Sequence, residues 1–262
     1  MTTKNEVLDL LNLAVQNGVL SSGTQSLISG NLGQVVVAGA AGTDMENIDA
    51  TDVTLVTLLV DASSSIHDGG LASAVREGHK QLLEAFNKSR ERNAILVATW
   101  LFSDELRILH SYVPIEDAIA LDLSNYQPHG CTILHDAWCD ALTANVAYAE
   151  KLRANGTPCR SVAVVITDGD DCGSKRTAQN CMNLSRDLLK TEQFVLAFVG
   201  VGNEQHFRGI ATSMGVPSGN VQVETEARSS NVRRIFHMVS QSAIRVSQGK
   251  ITPGQTTGFF AL

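Results

Sequence analysis

The sequence lacks several features that mark common protein classes. It has no apolar run long enough for a membrane span. Its first ten residues mix Lys4, Glu6 and Asp9 with apolar ones, unlike a signal peptide. Its five cysteines include no C-x-x-C pair, which predicts reduced thiols. We therefore expect a soluble, cytoplasmic protein.

Positive charge is also scarce. The 20 Lys and Arg residues are outnumbered by 27 Asp and Glu residues, so the net charge is −7. This excess of negative charge argues against a nucleic-acid-binding surface. The apolar content of 44% is that of an ordinary globular protein. A chain of 262 residues can form one large core, with or without a small appendage.

A buried strand is the clearest element that is present. Residues 53–60 are uncharged and rich in Val, Leu and Thr, which is typical of a central strand covered on both faces. Asp61, Ser63 and Ser65 follow it. One carboxylate and two hydroxyls at such a place suit a hard cation, namely Mg²⁺, Mn²⁺ or Ca²⁺. A serine-rich turn that caps the next helix accounts for the same residues equally well.

From Val53 onwards, strand and helix patterns alternate, as in a layered α/β domain with a mainly parallel sheet. The predicted strands are 53–60, 93–102, 106–112, 161–167, 194–201 and 221–224. The predicted helices are 71–86, 115–121, 133–153, one ending at 190, 207–214 and 231–246. The short connection between the second and third strands predicts an antiparallel hairpin. We expect a doubly wound, Rossmann-like, mainly parallel sheet with one antiparallel edge strand and helices on both faces.

The two ends of the chain have a different character. Residues 1–52 are predicted to form a helical appendage on the main domain or on a partner. Helical spacing of apolar residues is clear over 7–14 and weaker over 22–30, whereas 33–44 suits a strand or a glycine-broken helix. Residues 247–262 are predicted to be a flexible tail. The main domain therefore spans 53–246.

Three predicted loops carry oxygen-bearing side chains to one edge of the sheet. Asp61 and the two serines follow the first strand, and Asp168 follows the fourth. Thr132 lies in the loop before the helix that leads into the fourth strand. Loops at the carboxyl ends of parallel strands meet where the strand order reverses, and ligands bind there. The pattern therefore predicts one site built from three loops.

The order of these motifs resembles the metal-ion-dependent adhesion site of the von Willebrand factor type A domain family. The matching motifs are D-x-S-x-S at 61–65, G-x-T at 130–132 and T-D-G at 167–169. Further agreement comes from F-S-D at 102–104, from Asp136 and from G-V-G at 200–202. The resemblance covers about residues 53–246. It implies the Rossmann-like fold of that family.

The resemblance also implies a function. By it, Ser63, Ser65 and Thr132 supply hydroxyl ligands, and Asp61 and Asp168 hold the ion directly or through water. Neutral hydroxyls leave a dication attractive to an outside anion, and Mg²⁺ keeps a position open for a partner's carboxylate. The expectation is a non-enzymatic, Mg²⁺-dependent protein-binding module, an adaptor or regulatory subunit. Bacterial members of the family often work beside MoxR-type AAA+ ATPases.

Several residues near the predicted site are not expected to be metal ligands. Cys131 stands where the family frequently has a second glycine. Asp170 and Asp171 are expected to cap a helix or face solvent rather than to add charge around the ion. The histidines of the rim lack zinc-ligand spacing, so we expect them to be exposed or hydrogen-bonded. They are His67, His129 and His135.

Cysteines and arginines away from the ligands suggest no further site. Four cysteines lack zinc-ribbon spacing and are expected to be buried or idle thiols. They are Cys131, Cys139, Cys172 and Cys181. The arginines around the last helix are expected to form a solvated face, a nucleic-acid patch being the minority interpretation. They are Arg228, Arg233, Arg234 and Arg245.

Two alternative functions fit the sequence less well than a binding module. A phosphohydrolase would use Asp61 as its nucleophile, but the haloacid dehalogenase class needs a second Asp where Ser63 stands. Ser64 lacks the flanking glycines of a G-x-S-x-G elbow. An RNA-binding factor with a domain of this type is disfavoured by the net charge of −7. The binding module accounts best for the hydroxyl groups.

Overall fold

A six-stranded sheet forms the centre of the computed structural model, which describes residues 2–30, 32–48, 50–251 and 258–261. The strand order is β3-β2-β1-β4-β5-β6. All neighbours pair in parallel except β2 and β3, which are antiparallel. The strands are β1 Val53–Asp61, β2 Ile95–Phe102, β3 Leu106–Pro114, β4 Cys159–Thr167, β5 Phe194–Val201 and β6 Val221–Glu224. The predicted fold class, including the antiparallel edge strand, is confirmed.

Helices cover both faces of this sheet. They are α1 Lys4–Gln16, α2 Ser22–Ser29, α3 Gln34–Gly39, α4 Ser64–Asp68, α5 Ala72–Lys88, α6 Leu134–Ala154, α7 Ala178–Leu189, α8 Glu204–Ser213 and α9 Ser229–Ser247. Two apolar clusters result, one on each face. Leu55 and Leu59 of β1 enter one cluster, and Val56 and Leu58 enter the other. This alternation explains why β1 carries apolar side chains on both of its faces.

The strand order creates a crevice at the carboxyl ends of β1 and β4. From β1 the chain continues outwards through β2 to β3, and from β4 it continues in the opposite direction through β5 to β6. The loops that follow these two neighbouring strands therefore diverge and leave room between them. Four of the five predicted site residues lie at the end of β1 or in the loops that follow these two strands, and Thr132 comes from the loop before α6.

The first 52 residues supply α1, α2 and α3. Buried Val7, Leu11 and Ala14 of α1 belong to the same apolar cluster as α6. Residues 34–39, for which the sequence left strand and helix open, form a helix. Gly39 is needed there, because an added Cβ would lie 2.1 Å from a ring atom of Trp100. Residues 31 and 49 lie outside the described part of the chain.

Some element boundaries differ from those expected. The predicted helix over 115–121 is only a 3₁₀ turn, Ile115–Asp117. The short helix α4 was not predicted; it ends at Asp68 and is followed by the C-cap Gly69 and by Gly70 with φ +66°. Of the predicted tail, Ile251 and Phe259 are buried against the cluster that contains α9. Residues 252–257 and 262 lie outside the described residues.

Candidate metal site

Asp61 ends β1 with its carboxylate held in one orientation. The residue is 1% exposed. The backbone N–H of Ser63 donates to Oδ1 at 2.8 Å, and the Thr167 hydroxyl donates to Oδ2 at 2.5 Å. The Tyr126 hydroxyl donates to the Asp61 carbonyl at 2.6 Å. These donors leave the carboxylate little freedom to turn.

The two serines connect the β1 loop to the β4 loop. Ser63 is the N-cap of α4, and its Oγ lies 3.0 Å from Oγ of Ser65. The Ser65 hydroxyl donates to Oδ1 of Asp168 at 2.6 Å. Close oxygen contacts therefore join three of the five predicted ligands, and the hydrogen bond from the Ser63 N–H connects Asp61 to them as the fourth.

Thr132 joins the same group of oxygens from the third loop. It is buried, with 4% exposed. A Cβ placed on Gly169 would lie 3.0 Å from Thr132 Oγ1, 3.6 Å from Ser65 Oγ and 3.8 Å from Asp61 Oδ2. One point beside Gly169, in the loop after β4, is thus surrounded by oxygens from the loop after β1 and from the loop before α6. The structure brings the five residues together, and their role as metal ligands remains a prediction.

The electrostatics of the site suit a cation. Burial raises the pKa of Asp61 to about 6, although donors from Ser63 and Thr167 oppose the shift. Burial also raises the pKa of Asp168, opposed by the Ser65 hydroxyl. A buried carboxylate that lacks a counter-charge is costly. The oxygen-only donor set and these two carboxyls fit a hard dication, which would compensate both.

The loop that carries Thr132 is fixed from two sides. The His129 N–H donates to the Ala62 carbonyl at 2.8 Å, and the Ser64 N–H donates to the Gly130 carbonyl at 3.0 Å. From the β2–β3 hairpin, the Asp104 carboxylate accepts a hydrogen bond from the Cys131 N–H. The F-S-D motif was recognised in the sequence, but this role of its aspartate was missed. Thr167 was likewise overlooked as a donor to Asp61.

The expectation of five reduced thiols is wrong for two of them. Cys131 and Cys172 form a disulfide with Cα atoms 6.3 Å apart. Cys139, Cys159 and Cys181 are free and buried, as expected for structural thiols. Sequence spacing hid the pair because its members are 41 residues apart and meet only through the loops of the crevice. Cysteine usage therefore no longer supports a cytoplasmic location.

Acidic residues around the site anchor the β4 loop to α6. Asp171 accepts from the His135 N–H at 3.1 Å and so caps the start of α6. Asp136 accepts from the backbone N–H groups of Lys175 and Arg176 at 2.9 and 3.0 Å. Exposed Asp170 pairs with His206 instead. The expected capping role is therefore found for Asp171.

The other expected groups form no second metal site. Within the described residues, no cluster of three or more His, Cys, Asp or Glu side chains could hold a metal ion. Arginines around α9 pair with carboxylates: Arg234 with Glu224 at 2.6 Å and Arg233 with Glu77 at 3.1 Å. No helix in the part of the chain described here is long and apolar enough to cross a membrane.

Comparison with known proteins gives a family match. Residues 56–236 match the von Willebrand factor type A domain. No curated protein sequence matches significantly.

Three solved structures illustrate the fold-level similarity. The pilus adhesin SpaC of Lactobacillus rhamnosus GG is 13% identical over 76% of this chain and 30% of its own, with TM-score 0.54. The PilB minor pilin of Streptococcus sanguinis is 11% identical over 77% and 63%, with TM-score 0.51. A mussel byssus thread matrix protein, solved with zinc in its metal-ion-dependent adhesion site, is 19% identical over 75% and 47%, with TM-score 0.47. The chain thus corresponds to only part of each, and the two higher scores show the shared fold.

Proposed function

Because the chain belongs to the von Willebrand factor type A domain family, we propose that it binds a protein partner through a divalent cation. Domains of this family commonly mediate metal-dependent protein binding and are typically not enzymes. The cation would lie in the crevice at the carboxyl ends of β1 and β4. Its proposed ligands are Asp61, Ser63, Ser65, Thr132 and Asp168.

One observation carries this proposal: beside Gly169 of the β4 loop, oxygens of the two other loops surround a single point, and the Ser65 hydroxyl also reaches Asp168 of the β4 loop. Two of the five residues are carboxylates whose pKa values burial raises. The other three contribute neutral hydroxyls. We propose Mg²⁺ as the resident ion, with Mn²⁺ and Ca²⁺ as alternatives, because oxygen-only donors suit all three and Mg²⁺ readily keeps exchangeable positions.

The donor set also indicates the chemistry of the partner. Three hydroxyls and two carboxylates offer five ligand groups, whereas Mg²⁺ prefers six oxygen ligands, so at least one position is left for an outside group. The ion therefore attracts a further anionic oxygen, and a Glu or Asp side chain on a protein surface supplies one. We propose that the chain is an adaptor or regulatory subunit, and a MoxR-type AAA+ ATPase is one partner to test. The expected cytoplasmic location remains a prediction.

Calorimetric titration with Mn²⁺ tests the metal site directly. The wild-type chain should bind one equivalent, and Asp61→Asn and Asp168→Asn should abolish binding while far-UV circular dichroism stays unchanged. Asp170→Asn is the matched control, because it removes a carboxylate from the same loop as Asp168. The Asp170 carboxylate pairs with His206 and is not among the oxygens beside Gly169. Equal Mn²⁺ affinity in Asp61→Asn and the wild type would refute the proposed site.

A variant that lacks the Thr132 hydroxyl tests whether partner binding depends on the metal site. Thr132→Val keeps the side-chain shape and removes the oxygen. Capture of acidic peptides or of a candidate ATPase should be lost in this variant and in EDTA. Losing one charge-assisted contact costs about 2–5 kcal/mol, enough to remove a micromolar complex from detection. A complex that survives both treatments uses another surface.

A further inference from the structure

The Cys131–Cys172 disulfide joins two loops that carry proposed metal ligands. Cys131 precedes Thr132 in the chain, and Cys172 lies four residues after Asp168. The bridge therefore joins the loop before α6 to the loop after β4, which are two of the three loops of the site. Its Cα–Cα distance of 6.3 Å lies within the normal range for disulfides.

Cys172 also determines how Thr132 sits beside the β4 loop. The Cys172 N–H donates to the Thr132 carbonyl at 2.9 Å. The Thr132 N–H in turn donates to Sγ of Cys172 at 3.0 Å. The other backbone anchors of this loop, through His129, Gly130 and Ile133, reach the β1 loop and the β2–β3 hairpin instead. The distance between Thr132 and Asp168 thus depends on contacts made by Cys172.

Solvent reaches this disulfide. Cys131 and Cys172 are both exposed, whereas the three free cysteines are buried. A thiol in solution can attack only a sulfur that it can approach. A thiol in solution can therefore reach the Cys131–Cys172 disulfide, which lies next to the proposed ligands in the chain, but not the three buried thiols.

We propose that Cys131–Cys172 is a thiol–disulfide exchange site through which a dithiol reductant lowers the metal affinity of the neighbouring site. A thiolate of the reductant attacks one sulfur, the bridge breaks, and a mixed disulfide forms. The reductant's second thiolate then attacks its own half of the mixed disulfide and releases the chain. The chain gains two electrons and two protons as two thiols, and the reductant leaves as a disulfide.

The affinity changes because the bridge preorganises two of the ligand loops. In the oxidised chain, Thr132 and Asp168 are held near each other before the ion arrives. In the reduced chain, part of this order must be established during binding, which weakens it. Loss of groups that orient metal ligands typically costs about 10–100-fold in metal affinity, so we expect the Kd for Mn²⁺ to rise at least tenfold on reduction. This inference rests on the proposed metal site.

The experiment compares the oxidised full-length chain with the same chain reduced by a phosphine and desalted without oxygen. Alkylation under native conditions, read by mass spectrometry, should label Cys131 and Cys172 only after reduction. Calorimetry with Mn²⁺ should show the tenfold weaker binding in the reduced sample. The double variant Cys131→Ser/Cys172→Ser is the control, and its affinity should equal that of the reduced wild type with or without reductant.

Each contrary result has a separate meaning. Alkylation of Cys131 before reduction would show that the bridge is absent and overturn the inference. Equal Mn²⁺ affinity of the oxidised and reduced chains would overturn the inference and leave the proposed function standing. Absence of Mn²⁺ binding in both states would overturn both. If the double variant does not fold, the two redox states of the wild type still decide the question.

Discussion

The orientation of Asp61 depends in part on donors that are not themselves proposed ligands. The hydroxyl of Thr167 reaches Oδ2 from the neighbouring strand β4, and the hydroxyl of Tyr126 reaches the Asp61 carbonyl from a distant loop. Groups in such positions orient metal ligands, and their loss typically costs about 10–100-fold in metal affinity. At the scale of single residues, the site is therefore larger than its five proposed ligands.

Thr167→Val should weaken metal binding without unfolding the protein. The substitution removes the donor to Asp61 Oδ2 and keeps the buried shape of the side chain. We expect the Kd for Mn²⁺ in calorimetry to rise by about 10–100-fold. Thr54→Val, on the same sheet but at the far end of β1, is the control. An unchanged Kd in Thr167→Val would mean that this hydrogen bond does not orient the carboxylate.

Buried histidines should make the fold sensitive to acid. Burial lowers the pKa of His79 to about 3, and burial likewise lowers the pKa of His110 to about 4. Both pKa values lie below the 6.5 of an unperturbed histidine. Between the lowered pKa and 6.5, the unfolded chain therefore binds more protons than the folded chain. Stability is therefore complete above about pH 6.5 and is lost as the pH falls towards 4, by up to about 1.4 kcal/mol per pH unit for each histidine.

Urea unfolding at pH 7.5, 6.0 and 5.0 measures this loss. In His79→Gln the free energy of unfolding should fall less steeply with decreasing pH than in the wild type. His237→Gln, which changes an exposed histidine of α9, should leave the slope as it is. Identical slopes in all three proteins would show that His79 does not contribute to acid sensitivity.

At the scale of elements, helix α5, which comes after the serine loop, packs closely against helix α9. Helix α5 follows the serine loop, and its Gly78 lies against the ring of Phe236 in α9. An added Cβ at Gly78 would come within 2.4 Å of that ring, which is fully buried. The interface therefore has no room for a methyl group. Gly78 is therefore required by its close contact with Phe236 and not by an unusual backbone conformation.

Two glycine-to-alanine substitutions should change stability in opposite directions. Alanine in a helix interior is favoured over glycine by about 1 kcal/mol. At Gly209 in α8, where an added Cβ meets nothing within 4 Å, Gly209→Ala should stabilise by up to this amount. At Gly78, overpacking costs about 1–3 kcal/mol and outweighs the gain. Chemical denaturation measures both, and stabilisation by Gly78→Ala would contradict the observed α5–α9 contact.

At the scale of the whole molecule, the fold and the proposed site are stabilised by different residues. Two apolar clusters on opposite faces of the sheet contain most of the buried side chains. The oxygen atoms of the site lie in loops at the carboxyl ends of β1 and β4. Residues of α1 extend one cluster beyond the region that matches the family, so the first helix shares the core of the domain.

Chelation should therefore lower the melting temperature without unfolding the chain. At a free Mg²⁺ concentration of about 100 times Kd, binding adds roughly 2.7 kcal/mol, which corresponds to about 5–10 °C for a chain of this size. Circular dichroism in EDTA at 25 °C should keep the folded spectrum. Collapse of that spectrum would make the ion structural, as in zinc modules whose metal binding supplies the folding energy.

The sequence alone determined the six strands of the sheet and the order of the proposed ligands along the chain. Charge-free strands such as β1 and β5 were located within a residue or two, because full burial leaves an uninterrupted apolar run. The three oxygen-bearing motifs were found for a related reason. Each follows or precedes a regular element directly, so its position in the sheet follows from the alternation of strand and helix.

Tertiary structure decided which distant residues meet. The Cys131–Cys172 bridge, the bond from Thr167 to Asp61 and the contact of Asp104 with the Thr132 loop all join residues far apart in sequence. No local periodicity encodes such pairs, because they depend on which loops the strand order brings to the same edge. Residues 34–39, whose periodicity left strand and helix open, form a helix in the folded chain, where Gly39 packs against Trp100.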